Sequence, residues 1–282
     1  MAKVYAEEWA VKLQEKLDED NKWKRICKVE YTDSKVLHNP YYTDPTVATG
    51  TRGSAYTHQT VDQVDETIDI NTFQIIPQLI DRADAAQSQY SNQMYMAERQ
   101  GVLLNEAIET AVFAEHAQFT DFDNASIGGG AGNITVSETN IDDIIRGVKR
   151  EIREADGENL MARNGLVFVW RPADFEMLEA YVQANGFSTA DVALENGTKA
   201  GFTYMGATHF SSNKLTSGHV FAGVMGVLHL GIVKATYGQV VVDQEPATSG
   251  GAVSGIGVVS RVDYAVKAWN ETTPVLFDIL VA

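Results

Sequence analysis

Hydrophobic and polar positions change period several times along the chain, and each change predicts an element. Val4, Trp9, Val11, Leu13 and Leu17 fall near helical spacing among charged residues, which predicts a helix over residues 4–20. From Val29 to about Thr67 large aliphatic side chains become scarce. Two strand-like pieces, KVEYT and SAYTHQTV, are split there by HNPYYTDPTVATGTRG, a run of turn formers. A segment with β-propensity and no aliphatic stripe has little to bury on a core of its own, and connections this long are usually functional or disordered. The tract reads as an extended β-hairpin arm whose partner is another chain.

Ile68 and Ile70 then alternate with Asp69 and Asn71, as in a strand. From about Asp81 a polar, Ala-rich segment runs to His116 without a proline. As a single helix of roughly 36 residues it would span about 54 Å. A globule of 282 residues has a radius of gyration of only about 19 Å, so this rod would be as long as the body that carries it. Met94, Ala97, Gly101, Leu104, Ile108 and Ala111 give it one narrow seam, and Leu103, Ala107 and Val112 widen the seam near its end. Such a thin contact line suits a helix lying along a sheet. Gly101 marks either close packing or a bend. Asp81 and Asp84 sit where carboxylates favour the positive end of a helix dipole, which predicts capping.

SIGGGAGN, residues 126–133, breaks the texture and reads as a hinge. The third glycine of a dinucleotide fingerprint is replaced by Asn133, and no Lys-Ser/Thr follows. Beyond it, helices and strands alternate. Ile141, Ile144, Ile145, Val148 and Ile152 share one helical face after Ser137 or Thr139 as N-cap. NGLVFVW is a buried strand by its unbroken apolar run, and RPADFEMLEAYVQANG is a helix opened by Pro172 and closed by Gly186. GFTYMGATHFSS, GHVFAGV, YGQVVVDQEP, GIGVVSRVDYAVKAWN and PVLFDILVA read as strands. MGVLHLGIV fits a short buried helix or a strand equally.

Composition narrows the function classes. Lys+Arg of 22 against Asp+Glu of 38 gives a net charge of −16, which disfavours sequence-independent grip on nucleic acid. Cys27 is the single cysteine, so no intrachain disulfide or all-cysteine metal site is available. No signal core and no apolar run approaching about 18 residues occurs, which predicts a soluble chain with no membrane partner. Catalytic signatures are missing: no Gly-x-Ser-x-Gly elbow and no His-Glu-x-x-His pair. His38, His58, His116, His209, His219 and His229 are scattered. The run His209, His219, His229 recurs every ten residues without an acidic partner at matching spacing, so strand-end or core roles are expected and no metal site. Cys27, in WKRICKVEY, has basic neighbours but no orienting histidine, and a half-buried apolar role is expected for it. Hence no catalytic, cofactor or metal residue is assigned.

Taken in order, the elements are a helical arm, an extended β-loop, a strand leading into a long helix, a glycine hinge and a layered α/β region. VDETIDINTFQIIPQLIDRADAAQSQYS before AERQGVLLNEAIETAVFAE, then NGLVFVWRPADFEMLEAY, then DYAVKAWNETTPVLFDILVA carry the likeness. This layout resembles the major capsid proteins of tailed bacteriophages, a fold shared with herpesvirus capsid floors and encapsulin shells. The likeness runs from about residue 5 to 282 and rests on order, each piece alone being weakly specific.

The resemblance implies an α+β fold with an N-terminal arm (1–28), an E-loop (29–67) and a peripheral domain with spine helix and hinge (68–133). An axial α/β-layered domain (134–260) and C-terminal strands (261–282) follow, the last strands returning to the peripheral sheet. It implies a structural protein, not an enzyme, that self-assembles as pentamers and hexamers into an icosahedral shell around double-stranded DNA. Such a shell belongs to the virion and is assembled in the host bacterial cytoplasm. Trp9, Tyr41, Tyr42, Arg52, Tyr56 and His58 are the candidate inter-subunit contacts. Some relatives weld subunits through a Lys–Asn isopeptide bond; residues 40–66 contain no lysine, so non-covalent contacts or a decoration protein are expected instead. The short start is expected to mean a separate scaffolding protein or an already mature chain, and a portal is the remaining partner. An encapsulin-like nanocompartment and, behind it, an α/β-domain enzyme are the alternative readings.

Overall fold

The computed structural model describes residues 2–17, 21–43, 45–55, 57–81, 90–185, 202–243, 247–248, 251–252, 255–269 and 273–282. Helix α1 (Ala2–Leu17) buries Leu13 and Leu17, and the one-turn helix α2 (Lys22–Ile26) buries Trp23 and Ile26. Val11, assigned to the apolar side of α1 from its spacing, is instead 54% exposed.

Strand β1 (Cys27–Thr32) follows directly and pairs in parallel with β10 (Leu228–Val233), Cys27 opposite Leu228 and Thr32 opposite Val233. KVEYT therefore belongs to a sheet, which corrects the arm boundary placed at residue 29. Cys27 is buried and Val29 packs on the core while Lys28 and Glu30 point away, a period of two that anchors the strand on one face. The arm proper is the antiparallel pair β2 (Val36–Tyr42) and β3 (Gln63–Asp69), in register from Val36 opposite Asp69 to Tyr42 opposite Gln63.

Strand β4 (Thr72–Asp81) runs to Asp81, so that residue closes a strand and does not cap the long helix; Asp84 lies outside the described residues. Among the described residues β4 pairs with β14 (Gly255–Lys267) alone, from Thr72 opposite Tyr264 to Asp81 opposite Gly255. An edge position of this kind is where a sheet tolerates a proline such as Pro77. Opposite β4, β14 takes β11 (Gln239–Asp243) at residues 257–261 and β10 at residues 264–267. β1, β4, β10, β11 and β14 thus make a five-stranded sheet. MGVLHLGIV is the strand β10, its alternatives settled by pairing on both sides. A two-residue ladder, β12 (Ala247–Thr248) with β13 (Gly251–Ala252), lies between β11 and β14 in the sequence.

The spine helix α3 (Tyr90–Ala114) has 25 residues and is about 37 Å long at 1.5 Å per residue. The span expected from Asp81 to His116 is shortened at both ends: a strand occupies Asp81, and Glu115–Gln118 is a 3-10 turn. Ala97, Leu104, Ile108, Val112 and Phe113 are its buried side, while Leu103 is 38% exposed and does not widen the seam. Gly101 marks close packing and not a bend. A Cβ there would stand 2.6 Å from the Lys16 Cβ and 3.4 Å from the Leu13 carbonyl oxygen of α1. Toward the sheet the contact is polar, Gln100 donating to Gln78 Oε1 at 2.7 Å and accepting from the buried Ser260 hydroxyl.

The glycine segment after β5 (Thr120–Phe122) folds on itself. Asp123 caps a 3-10 turn at Asn124–Ile127 through the Ser126 amide, Gly128 has a φ of 85°, and Asn124 Nδ2 donates to the Gly130 carbonyl. Helix α4 (Ile141–Glu154) buries all five isoleucine and valine positions of its predicted face. Its N-cap is Asn140, not Ser137 or Thr139. The Asn140 side chain accepts from the Ser137 amide and donates to the Thr135 carbonyl, fixing the approach to the helix. Helix α5 (Glu158–Asn164), unforeseen from the pattern, precedes β6 (Leu166–Trp170), and α6 (Pro172–Ala184) follows with its proline in the first turn.

β5, β15 (Leu276–Leu280), β9 (His219–Val224), β6, β8 (Ala207–Ser211) and β7 (Phe202–Tyr204), in that order, form a six-stranded sheet. Every residue of β6 is buried, as its unbroken apolar run requires of a strand covered on both faces. Strand pairing divides the chain differently from the boundaries at 134, 260 and 261. Of the expected axial region, β10, β11 and β14 as far as residue 260 lie in the five-stranded sheet. Of the expected C-terminal strands, residues 261–267 of β14 pair in that same sheet with β4 or β10, whereas β15 enters the six-stranded sheet between β5 and β9. Leu276 and Phe277, adjacent and buried at 0% and 2%, point to opposite faces and need a two-sided core, which the place between β5 and β9 supplies.

Candidate functional site: surfaces left uncovered by the fold

The arm is anchored at its base and bare beyond it. Ile68 and Ile70 are buried, the Lys35 carbonyl accepts from the Ile70 amide, and Lys267 Nζ donates to the Thr67 carbonyl at 2.9 Å. A Cβ on Gly231 of β10 would lie 2.6 Å from Leu37 and 3.2 Å from Ile70, so glycine lets the arm's root press onto the sheet. Every described residue from 45 to 63 is exposed, and Val47 is 100% so. Within the arm, Thr43 donates its amide to the Asp62 carbonyl, Gln59 brackets Thr46 with two bonds of 2.8 Å, and His38 meets Asp65 at 2.7 Å. These polar links hold two strands together without burying apolar surface.

Of the six residues proposed from the sequence as inter-subunit contacts, Tyr41 is half-buried, Tyr42 is 64% exposed, and Arg52 and His58 are exposed. All four lie on the arm, Tyr41 and Tyr42 in β2 and the other two toward its tip, so they form one projecting surface and not a converging site. Tyr56 and the side chain of Trp9 lie outside the described residues.

A second uncovered surface was not foreseen. Phe73, Ile75 and Leu79 alternate along β4 on the face turned away from the spine, 46–52% exposed, and Val241 of β11 is 50% exposed. Direct pairing places Asp263, Arg261 and Gly257 beside the three β4 residues, and Val241 beside Val259 on β14. The Arg261 guanidinium lies over the Phe73 ring at 4.8 Å and pairs with Asp263 at 2.6 Å. The sequence signal was available, since TFQIIPQLID alternates. It was obscured because apolar residues occupy both sides of the alternation, Ile76 facing the core and Ile75 facing out.

The titratable groups fall into separate environments. His209 is enclosed by Phe168, Trp170, Phe202 and Tyr204; its Nδ1 accepts from the Trp170 indole at 3.0 Å, and its Nε2 stands 3.2 Å from the Tyr204 carbonyl. Burial pushes its pKa down to about 4. His229 stands against Trp269 and 3.7 Å from Glu30, with its pKa lowered chiefly by burial. His219 turns instead to Asp278, Nδ1 to Oδ2 at 2.7 Å, and His116 stacks on His219 with ring centroids 3.8 Å apart. The imagined triad of His209, His219 and His229 is therefore dispersed. The acidic partner judged missing for His219 comes from β15, 59 residues along the chain, a distance at which spacing carries no signal. Cys27 is buried, and desolvation drives its thiol pKa far above the ordinary range despite Lys24, Arg25 and Lys28 nearby in sequence, so the apolar role holds. Among the described residues no helix is long and apolar enough to cross a membrane.

No protein-family model and no curated protein matches the sequence. Solved structures do match. The capsid of an empty GTA particle is similar at a TM-score of 0.67 and 14% identity, over 92% of this chain and 89% of that one. The virus-like particle from Pyrococcus furiosus is similar at 0.62 and 12%, over 98% and 99%. The mature capsid of bacteriophage PhiM1 is similar at 0.61 and 12%, over 93% and 87%. At such identities the likeness is one of backbone path.

Proposed function

We propose that this chain, which has the major-capsid fold of tailed phages, is the subunit of a closed protein shell built from copies of itself as pentamers and hexamers. The reading places duplex DNA inside and the subunit in the virion, assembled in a bacterial host. Scaffolding, portal and decoration proteins are the further partners such a particle calls for. The observation that carries it is the arm: residues 45–63, exposed throughout wherever they are described, are held out on a root fixed into the chain's own sheet. Ordering backbone costs about 1–2 kcal/mol per residue, a cost that a projecting ribbon with no buried apolar surface recovers only when another surface covers it. The apolar stripe on β4 supplies a second surface needing cover. The excess of 38 acidic over 22 basic side chains suits a wall along which DNA slides without sticking. The role is structural and not catalytic.

Negative-stain microscopy and sedimentation of the purified chain test this directly. Closed particles are expected from the intact chain, and small oligomers from a variant whose residues 45–55 are replaced by a short Gly-Ser link. Both should melt at the same temperature before assembly. Monomers from the intact chain under all assembly conditions, or closed particles from the shortened one, would overturn the reading.

A further inference from the structure

His116, His219 and Asp278 come from three elements: the 3-10 turn that ends the spine, the first residue of β9 and the middle of β15. One ligand atom from each lies within 4.8 Å of the other two. His116 Nδ1 stands 3.3 Å from Asp278 Oδ2, and His219 Nδ1 stands 2.7 Å from the same oxygen. Two ligands of a tetrahedral zinc ion with bonds near 2.1 Å are about 3.4 Å apart, so the first distance is within about 0.1 Å of it and the second needs only a small turn of the ring.

Asp278 is 2% exposed, and its Oδ1 has no hydrogen-bond partner among the described residues. A buried carboxylate oxygen left in this way costs free energy unless a cation meets it. The two imidazole rings stack with centroids 3.8 Å apart, which holds both beside the carboxylate. Each is about a quarter exposed, which leaves an entry path and room for a water as fourth ligand. Asp121, opposite Asp278 in the β5–β15 ladder, and Glu115, next to His116, add negative charge around the cluster.

We propose that His116, His219 and Asp278 form a binding site for a divalent transition-metal ion of the zinc type, clamping the end of the spine helix to the six-stranded sheet. Two imidazoles and a carboxylate are the donor set of such ions and not of magnesium or calcium, which prefer oxygen. The clamp closes a junction that already packs: Phe113 and Phe119 lie against Phe221 of β9, and Gln118 Oε1 accepts from the Ala268 amide beyond β14. The site ties the end of the spine to two strands of the six-stranded sheet and does not depend on the shell reading.

The test is titration of the chelator-treated full-length chain with Zn²⁺ alone, followed by melting temperature, and with Co²⁺, followed by visible absorption. One equivalent per chain is expected, with a rise in melting temperature and the intense d–d absorption of four-coordinate Co²⁺. His116→Gln and His219→Gln should each weaken binding by more than about 100-fold, since even partners behind the ligands are worth 10–100-fold. Unchanged affinity in both variants, or no Co²⁺ spectrum in the unaltered chain, overturns the site. The second outcome does so whether or not the variants fold.

Discussion

The two sheets of this molecule end in opposite conditions. In the six-stranded sheet, β6 and most of β9 and β15 are buried, in one core with Ile144, Ile145 and Val148 of α4 and Phe175 and Leu178 of α6. The five-stranded sheet has one face toward the spine and α1, while its other face shows Phe73, Ile75, Leu79 and Val241 to solvent and its corner carries the arm. The first sheet completes its own core. The second leaves large apolar side chains on positions that no described residue covers, which is how a docking face differs from a closed core. Fold stability and assembly should therefore be separable by mutation, the one residing in the first sheet and the other in the second.

The largest effect on the chain itself is expected from Phe168→Ala. Phe168 is fully buried and stacks on Trp170 and His209 at 5.5 and 5.2 Å, so the truncation should cost about 3–5 kcal/mol in denaturant unfolding. A loss below about 1 kcal/mol would place the stability elsewhere.

A smaller effect should follow pH at the same place. His209 has a folded pKa of about 4, below its ordinary 6.5, because Phe168, Trp170, Phe202 and Tyr204 exclude water and Lys149 adds positive charge nearby. Below pH 6.5 the unfolded chain binds a proton that the folded chain refuses. Stability is therefore full above the unfolded value and is lost as pH falls toward 4, by about 3 kcal/mol at most. His209→Phe should flatten that part of the melting-temperature profile; a profile unchanged by the substitution would assign the acid sensitivity to other groups.

The smallest effect on stability is expected on the bare face, and it carries the sharpest contrast. Ile75→Ser with Leu79→Ser should move the unfolding free energy of the unassembled chain by no more than about 0.5 kcal/mol, as exposed positions do. The same pair should abolish closed particles in the microscope. Destabilisation of the chain with assembly intact would reverse the roles assigned to the two sheets.

Much of the fold was legible because the signals were local. The face of α4, the buried run of β6 and the proline start of α6 each need only the few residues that form them, and all three match the structure. KVEYT was misassigned to the arm because its partner, β10, lies about 200 residues away and is parallel, so no turn in the sequence announces the pairing. The candidate contacts on the arm were found by the lack of an aliphatic stripe. The β4 stripe was missed because Ile75 and Ile76 read alike until a sheet gives them opposite sides. His116, His219 and Asp278 were invisible as a group, since they come from a 3-10 turn and two strands far apart in the chain and not from one element.

By itself the sequence determined β6 and α6 as strand and helix, which side of α4 is apolar, and that the tract from Val29 to about Thr67 has few large aliphatic side chains to bury, because period and composition act over a turn or two of chain. Only the tertiary structure decided which strands share a sheet, that Gly101 admits α1 against the spine, and where three distant polar side chains meet. Those outcomes depend on closing loops of tens to hundreds of residues, a choice set by how whole faces fit one another and not by any short stretch of residues.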